Sequence, residues 1–388
     1  MDFAFTDDQQ NIREAVLKLC AQFSDDYWLE RDRDEVFPRD FHTAMAEAGW
    51  LGIAMPEAVG GAGLGITEAA IMMQAVAEAG GGMTAASAVH GPVFSMQPVI
   101  LFGTQEQQKR MIPPILTGEH TMCFAVTEPN TGLDTTKLKT RAEKVEGGYR
   151  ITGEKIWISV AQAANKMMIL ARTTPLDQVK KKTEGLSLFY TDFDRSKIEA
   201  RVIHKIGRHS VDSNMLFISD LFVPEEDRIG GEGDGFKIIL HGLNPERILL
   251  AAEAIGIGRA AVRRSARYAR ERIVFDRPIG MNQGIQHPLA KCWAQLEAAN
   301  LMVMKAAQLF DQRQECGVEA NAGKYLAGEF GFEACHTAML SMGGMGLAQE
   351  YHVERYVREA AILRTVPVSP HMILNFIAEK VLELPRSY

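Results

Sequence analysis

The stretch MCFAVTEPN, residues 122–130, marks the point where this sequence changes from helical to β-strand patterning. An apolar run leads into Thr-Glu-Pro-Asn, which is typical of a strand that ends at a turn. Before it, apolar residues recur at helical spacing. The segment TDDQQNIREAVLKLCAQF, for example, begins with Thr6 in the N-cap position. The pattern therefore predicts helices up to about residue 120, including an apolar helix that ends at the glycines 80–82.

After residue 122, short runs rich in β-branched and aromatic residues predict a compact antiparallel β domain that extends to about Pro224. These runs are YRITGEKIWIS, KMMILART, LSLFYTDF and MLFISDLFVP. In the first of them, apolar residues alternate on both sides of Thr-Gly-Glu. We therefore expect two half-buried strands joined by a turn at 152–154.

From Gly235 onward, long helical periods return and indicate a bundle of four helices with short links. We expect these helices at about 235–272, 283–313, 318–343 and 350–382. The predicted fold class is mostly helical α+β, with three domains in the order helices, strands, helices. The expected domains are an N-terminal helical domain (1–120), a middle antiparallel β domain (121–232) and a C-terminal four-helix bundle (233–388).

Composition and charge limit the classes of partner. The net charge of −7 argues against nucleic acid or an anionic membrane surface. A set of arginines at helical spacing within 259–272 is expected to be a solvated or interface-facing helix side. The five cysteines form no CxxC pair, so we expect free thiols, no disulfide framework and no metal site. No apolar run reaches transmembrane length and no signal segment begins the sequence, which favours a cytoplasmic protein.

Seven motifs, taken in order, resemble the acyl-CoA dehydrogenase family nearly from end to end. They are MPEAVGGAGLG, ILFGTQEQQKRMIPPILTGE, FAVTEPNTGLD, GEKIWIS, VPEEDRIGGEGDGFK, RERIVFDRPIG and SMGGMGLAQEYHVERYVRE. The resemblance implies FAD-dependent α,β-dehydrogenation of an acyl-CoA to the trans-2-enoyl-CoA, as in fatty acid β-oxidation. A carboxylate removes the α-proton and a hydride passes to flavin N5. It also implies a homotetramer, a dimer of dimers, that passes electrons to an electron-transfer flavoprotein.

The resemblance assigns two groups of residues to FAD. The flavin ring is expected along the strand exit and the KIWIS strand, at Phe124, Ala125, Val126, Thr127, Gly132, Leu133, Trp157, Ile158 and Ser159. The pyrophosphate and adenosine half is expected on a neighbouring subunit, at Arg272, Phe275, Gln283, Leu340, Gly343 and Gly344, and Ser369 is also assigned to the cofactor. Physically, an indole offers a broad face to an aromatic ring, and a guanidinium is the natural partner of a diphosphate.

The usual position of the catalytic base holds a proline in this chain. Most family members carry a glutamate in a Tyr-Glu-Gly-Thr motif after the VER…RE segment. Here Pro367 falls at the glutamate, Val368 at the glycine and Ser369 at the threonine. Proline cannot accept a proton, so either the base lies elsewhere or the protein is inactive.

A smaller group, with the isovaleryl-CoA and long-chain acyl-CoA dehydrogenases, carries the glutamate on a long helix just before an arginine. The segment GLNPERILLAAE has that pattern at Glu246 and Arg247. We expect Glu246 in the first turn of its helix, beside Pro245, where an acid would also complement the helix dipole. Arg247 would support the site and tune the carboxylate. Glu253 lies seven residues later on the same face and is the alternative base.

Three further residues are assigned to the substrate by the resemblance. Asn244 is expected near the pantetheine of CoA together with Arg247. His90 would lie at the deep end of the acyl tunnel, unless it is a structural histidine of the core. Two other functions stay open from the sequence: a non-catalytic acyl-CoA-binding relative and a flavin oxidase on the same fold.

Overall fold

Helices occupy both ends of the chain and one β-sheet lies between them in the computed structural model, which describes residues 4–387. This arrangement confirms the predicted fold class. The N-terminal helices are α1 (Asp7–Cys20), α2 (Asp25–Asp34), α3 (Arg39–Glu47), α4 (Ile66–Val76), α5 (Gly82–Ser95), α6 (Gln97–Phe102), α7 (Gln105–Met111) and α8 (Pro113–Leu116). Thr6 caps α1 as predicted and forms a reciprocal capping box with Gln9.

The apolar helix that contains α4 ends at the glycines 80–82, as predicted. The segment Ala77–Gly81 links α4 to α5, and the backbone of Gly80 within it is not helical. Gly80 and Gly82 adopt positive φ angles of 118° and 61° at the join. Arg355 donates to the Gly80 carbonyl, and the Glu359 carboxylate accepts from the Met83 backbone N–H. These distant bonds satisfy backbone groups that a helix end would otherwise expose to water.

The combined stretch Ile66–Phe102 is long and apolar enough to cross a membrane by length and composition. The prediction that no apolar run reaches transmembrane length is therefore wrong for this stretch. About two thirds of its most apolar window is buried inside the protein, as expected for a helical core segment of a folded domain.

The β-sheet is mixed, although most of its pairings are antiparallel as predicted. Its strands are β1 (Met122–Ala125), β2 (Arg141–Val145), β3 (Gly148–Ser159), β4 (Lys166–Arg172), β5 (Leu186–Asp192), β6 (Ile198–Val202), β7 (Ser213–Pro224) and β8 (Arg228–Ile229). The order is β6-β7-β3-β2-β4-β5-β8, and β1 pairs with β4. The β1–β4 and β2–β4 pairings are parallel. Within the stretch 122–130, the chain therefore runs beside β4 as β1 and then leaves the sheet at the turn that follows.

The turn expected at 152–154 is a bulge inside the continuous strand β3. The register against β7 shifts between Ile151 and Gly153. A Cβ atom on Gly153 would come within 2.6 Å of the Thr140 Cα atom, so the backbone approaches too closely for any other residue.

Three long helices form the main part of the C-terminal region, and α9 lies at its centre. The elements are α9 (Gly235–Glu271), the hairpin strands β9 (Ile273–Val274) and β10 (Arg277–Pro278), α10 (Gln283–Asp311), α11 (Gly317–Ser341), α12 (Val353–Ala360) and α13 (Pro370–Lys380). The expected fourth helix at 350–382 is instead two short helices. Pro367 lies between them and Pro370 is the first residue of α13. Proline removes a helical hydrogen bond and restricts the residue before it.

Charged side chains connect the N-terminal helices to the C-terminal ones. Arg263 pairs with Glu78, Arg264 with Asp25, and Arg259 with Glu297 of α10. Three of the six arginines within 259–272 are therefore used for ion pairs inside the protein.

The Asp311 carboxylate at the end of α10 caps the start of α4. It accepts hydrogen bonds from the backbone N–H groups of Ile66 (2.7 Å) and Thr67 (2.9 Å) and from the Thr67 hydroxyl (2.6 Å). We expect Asp311→Ala to destabilise the protein by about 1–2 kcal/mol, because three donors lose their acceptor. Thermal unfolding followed by circular dichroism measures this. Glu315→Ala, in the link that follows α10, is the control, and an unchanged melting temperature in Asp311→Ala would contradict the capping role.

Candidate active site

Glu246 lies inside α9, not in its first turn. The helix begins at Gly235, eleven residues earlier, so Glu246 is about three turns from the N-terminus. The prediction of a first-turn position is wrong because α9 continues through Pro245, which the sequence suggested as a helix start. The helix dipole acts mainly within the first turn, so it does not explain an acid at this depth.

The Glu246 carboxylate is largely withdrawn from water and accepts no hydrogen bond from any residue within 4–387. Burial raises its pKa from 4.5 to about 7. The positive charges of His90 and Arg247 oppose that rise, and the negative charge of Glu253 adds to it. A carboxyl group with a pKa near neutrality and a free carboxylate has the properties of a general base.

Arg247 and Asn244 lie beside Glu246 on α9 and interact with each other. Arg247 Nη1 donates to Asn244 Oδ1 at 2.9 Å, and Asn244 Nδ2 lies 3.7 Å from the Cys316 sulfur. Arg247 Nε is buried and has no partner among the described residues. Burial lowers the pKa of Arg247, although it remains a cation. Its charge therefore acts on Glu246 through space, without a direct ion pair in the described chain.

The segment that carries the usual base is held in place from α11. Lys324 is buried, and its Nζ donates to the Val368 carbonyl at 3.0 Å. Burial lowers the pKa of Lys324 to about 8. Next to it, the Ser369 hydroxyl caps α13 by accepting from the Met372 backbone N–H. Position 367 thus lies in a segment whose backbone is held by Lys324 but which offers no acid, and no motif indicated Lys324.

The strand exit and the KIWIS strand lie side by side, as the resemblance implies. The Ile156 backbone N–H donates to the Thr127 carbonyl, which joins the end of β1 to β3. Trp157 lies at a bulge in β3, has a positive φ of 63° and is 55% exposed. A positive φ is a strained conformation for an aromatic residue, and such strain is concentrated at functional sites. The indole and the Thr127 hydroxyl both remain partly open to solvent.

The other residues assigned to this group fall into three classes by their exposure to solvent. Ala125 and Ile158 are buried, so they contribute backbone atoms and packing. Phe124 and Val126 are partly buried, and Phe124 packs edge-on against Phe94 of α5. Gly132 and Leu133 lie in the exposed turn, where a Cβ on Gly132 would meet no atom within 4 Å.

A buried lysine that the sequence did not indicate fixes this strand exit. Lys155 is 0% exposed, and its Nζ donates to the carbonyls of Val126 and Leu170 and to the Glu128 carboxylate, at 2.8–3.1 Å. Glu128 also accepts from the backbone N–H groups of Lys139 and Thr140. This network ties the turn after β1 to β3 and β4, and so fixes the backbone around Thr127.

The second predicted group is far more exposed and separate from the first. Phe275 is 94% exposed and Leu340 is 63% exposed. Arg272, Gln283, Gly343 and Gly344 are also exposed. No hydrogen bond or ring contact joins this group to Trp157 or Thr127 within the described part of the chain. Exposed apolar side chains of this size are typical of a surface that a partner or ligand covers.

A polar cluster lies between Glu246 and the KIWIS strand, and sequence reasoning found only part of it. His90 Nδ1 lies 2.6 Å from Glu253 Oε1. Arg208 donates to the Ser87 hydroxyl at 3.0 Å and to the Ser159 hydroxyl at 3.2 Å. Glu253 is therefore engaged with His90, whereas Glu246 is free. Arg208 precedes β7 with a positive φ of 58°, and no motif indicated it.

Within residues 4–387, no group of three or more His, Cys, Asp and Glu side chains is arranged to hold a metal ion. All five cysteines are buried and free.

Three family models match nearly the whole chain. They are "Acyl-CoA dehydrogenase, N-terminal domain" at residues 6–119, "Acyl-CoA dehydrogenase, middle domain" at 123–221 and "Acyl-CoA dehydrogenase, C-terminal domain" at 233–382.

Individual relatives match over similar lengths. Acyl-CoA dehydrogenase FadE12 of Mycobacterium tuberculosis is 34% identical over 100% of this chain and 99% of its own length. A benzylmalonyl-CoA dehydrogenase of Aromatoleum aromaticum is 34% identical over 92% of this chain and 94% of its own. The structure of butyryl-CoA dehydrogenase from Megasphaera elsdenii superposes with a TM-score of 0.93 at 27% identity, covering 98% of this chain and 100% of that one.

Removing the Lys155 charge tests whether it fixes the strand exit. We expect Lys155→Met to lower stability by about 3–5 kcal/mol, because Glu128 then keeps its buried charge without a cation. The flavin content of the purified protein should fall in parallel, since Thr127 and Trp157 lose their support. The control is Lys166→Met, which removes a solvent-exposed pair with Asp192. Unchanged melting temperature and flavin content in Lys155→Met would contradict this role.

The burial of Glu246 makes stability depend on pH. The pKa of Glu246 is about 7 in the folded state and near 4.5 in the unfolded state. Between these two pH values, the folded state holds the proton more tightly than the unfolded state does. Stability is therefore lost as the pH rises from 4.5 to 7, by at most about 3 kcal/mol. We expect Glu246→Gln to melt at a higher temperature than wild type at pH 8 and at a similar temperature at pH 5. Equal melting temperatures at pH 8 would contradict a buried, ionisable carboxylate.

Proposed function

Because the chain belongs to the acyl-CoA dehydrogenase family, we propose that it removes hydrogen from the α- and β-carbons of an acyl-CoA thioester with Glu246 as the base. The family consists of FAD-dependent oxidoreductases, and FAD is the cofactor. The observation that supports the proposal is the partly buried carboxylate of Glu246, which accepts no hydrogen bond within residues 4–387 and whose pKa is raised by burial to about 7.

The residues around Trp157 fit a flavin ring. A partly open indole and the Thr127 hydroxyl offer an apolar face and a hydrogen-bonding group at one edge of the sheet. Ser159 accepts from Arg208, so its own hydroxyl hydrogen is available to a ligand. When bound, FAD accepts the hydrogen that leaves the β-carbon together with its bonding electron pair.

The exposed second group fits the diphosphate and adenosine half of FAD bound to another copy of the chain. Arg272 supplies a cation for the diphosphate, Phe275 supplies an aromatic face, and Gly343–Gly344 leave open space above the backbone. We assign Gln283 and Leu340 to the same surface. Ser369 is also assigned to the cofactor, and its hydroxyl already accepts a hydrogen bond as the cap of α13. These residues lie apart from Trp157 within one chain, so a second copy would have to bring them to the same FAD. We therefore include a homotetramer in the proposal.

Glu246 removes the proton from the carbon next to the thioester carbonyl. The electron pair of that C–H bond forms the new double bond as the β-hydrogen leaves. Since a plain α-C–H is a very weak acid, the base has to work in a site with little water, where its basicity is raised. Arg247 and His90 keep the carboxylate ionisable near neutral pH by opposing the effect of burial. Asn244 and Arg247 lie on the same helix, where we expect the pantetheine.

Electron-transfer flavoprotein as the acceptor, a cytoplasmic location and a role in fatty acid β-oxidation complete the proposal. The similarity of this chain to subunit CarC of the caffeyl-CoA reductase-Etf complex of Acetobacterium woodii, at 31% identity, supports the acceptor.

Anaerobic reduction of the purified flavoprotein by a panel of acyl-CoA thioesters tests this function. We expect at least one thioester to bleach the flavin absorbance, with a second-order rate that falls below about pH 7 as Glu246 takes up a proton. Absence of bleaching by every thioester, in a protein with full FAD content, would contradict the proposed dehydrogenation.

Two matched variants test which acid is the base. We expect Glu246→Gln to retain FAD and to lose about 10²–10⁴-fold in the limiting rate of bleaching at saturating thioester. Glu253→Gln removes the other buried acid of α9, which is engaged with His90, and should keep the limiting rate within about tenfold. The reverse pattern would assign the base to Glu253.

A further inference from the structure

Five side chains form a polar cluster that a purely hydrocarbon acyl group would not require. The His90 cluster consists of His90 and Ser87 on α5, Glu253 on α9, Ser159 at the end of β3, and Arg208 before β7. His90 bonds Glu253 at 2.6 Å, and Arg208 bridges Ser87 and Ser159. Glu253 is 0% exposed and His90 is 12% exposed at its side chain. Charged and polar groups thus meet where three parts of the fold converge.

Three polar atoms of the cluster are buried and have no hydrogen-bond partner among the described residues. They are His90 Nε2, Glu253 Oε2 and Arg208 Nε. A buried polar group without a partner costs about 1–3 kcal/mol, so proteins rarely leave one unpaired without a reason. Two of these atoms belong to cationic or cation-forming groups and one to an acid. Three such atoms in one cluster indicate that a polar group joins it when the protein works.

The cluster lies beside the proposed base. Glu253 follows Glu246 by seven residues on the same face of α9, which places it about 10 Å further along the helix axis. His90 is close enough for its charge to act on Glu246. Its ring lies 4.8 Å from that of Phe94, which in turn contacts Phe124 of β1. The cluster and Glu246 therefore lie close together, between α9, α5 and β1.

We propose that the acyl group of the substrate carries a hydroxyl substituent, distal to the thioester, that the His90 cluster binds. This inference rests on the proposed function. A hydroxyl accepts a hydrogen bond from His90 or Arg208 and donates one to Glu253 Oε2, so it satisfies both kinds of unpaired group. An unsubstituted chain leaves all of them unpaired and dry.

Hydrogen-bonding capacity distinguishes a hydroxyl from a carboxylate. Glu253 Oε2 is a buried acceptor that needs a hydrogen-bond donor. A hydroxyl supplies that donor, whereas a carboxylate is an acceptor only and would set a second acceptor against Glu253 Oε2. The hydroxyl therefore fits the unpaired groups and the carboxylate does not.

Rapid anaerobic flavin reduction of the holoenzyme by length-matched thioesters tests the inference. The panel contains ω-hydroxyacyl-CoA, ω-carboxyacyl-CoA and unsubstituted acyl-CoA, each at several chain lengths. We expect the best hydroxyl compound to exceed its unsubstituted counterpart at least about tenfold in kcat/KM. Higher kcat/KM for the unsubstituted or carboxylate compounds overturns this inference alone. No reduction by any thioester overturns the proposed function, and this inference with it.

Variants separate substrate binding from a structural role. His90→Phe and Glu253→Gln each remove part of the cluster while keeping similar size, and the double variant should reduce the hydroxyl preference to about onefold. A merely structural His90–Glu253 pair would lower kcat/KM equally for both thioesters and leave their ratio intact, which overturns the inference. His42→Phe, at a buried histidine of α3, is the matched control and should keep the wild-type ratio.

Discussion

Burying part of the Glu246 side chain without a hydrogen-bond partner for its carboxylate costs free energy, and the packing of α9 in the core offsets that cost. Apolar neighbours on the helix, Ile248 and Leu249, are fully buried and anchor it in the core. His90 and Arg247 offset part of the cost by their charge, although neither forms an ion pair with Glu246 in the described chain. A close ion pair would hold the carboxylate as a weak base, whereas charges at a distance leave it ionisable and reactive.

The sheet provides the opposite side of the site, and its rigidity also comes from a buried charge. Lys155 holds the end of β1 against β3 and β4 through three acceptors. Trp157, two residues further along β3, is thereby presented at a bulge with its ring partly open. Arg208 then joins the two sides, since it bonds Ser159 on the sheet and Ser87 on α5. The proposed base on α9 and the strand that carries Trp157 are thus linked by polar contacts between distant segments.

Local patterns in the sequence predicted the parts of the fold that depend on neighbouring residues. The Thr6 cap, the three long C-terminal helices and the change to strands after residue 122 all follow from periodicity and turn chemistry. A prediction was wrong where one local signal was given too much weight. Pro245 suggested a helix start, but α9 begins at Gly235, as its helical period predicts, and passes through Pro245. The motifs indicated Glu246, but its depth in α9 depended on where the helix begins.

The polar contacts of the site could not be predicted from a single sequence, because they join residues far apart in the chain. His90 and Glu253 are 163 positions apart, and Lys324 meets Val368 across 44. Burial, which determines the pKa of Glu246, is also a property of the packed structure. The exposure of Phe275 and Leu340, by contrast, fits a surface that a partner or ligand covers.

Direct titration of Glu246 tests the central claim, that this carboxyl group is poised near neutral pH. Infrared spectra of wild-type holoenzyme and Glu246→Gln, recorded from pH 4 to pH 9, isolate the protonated carboxyl band of this residue in their difference. The account requires the band to disappear with a midpoint at about pH 7. A midpoint near 4.5, the ordinary value for a glutamate, would contradict it.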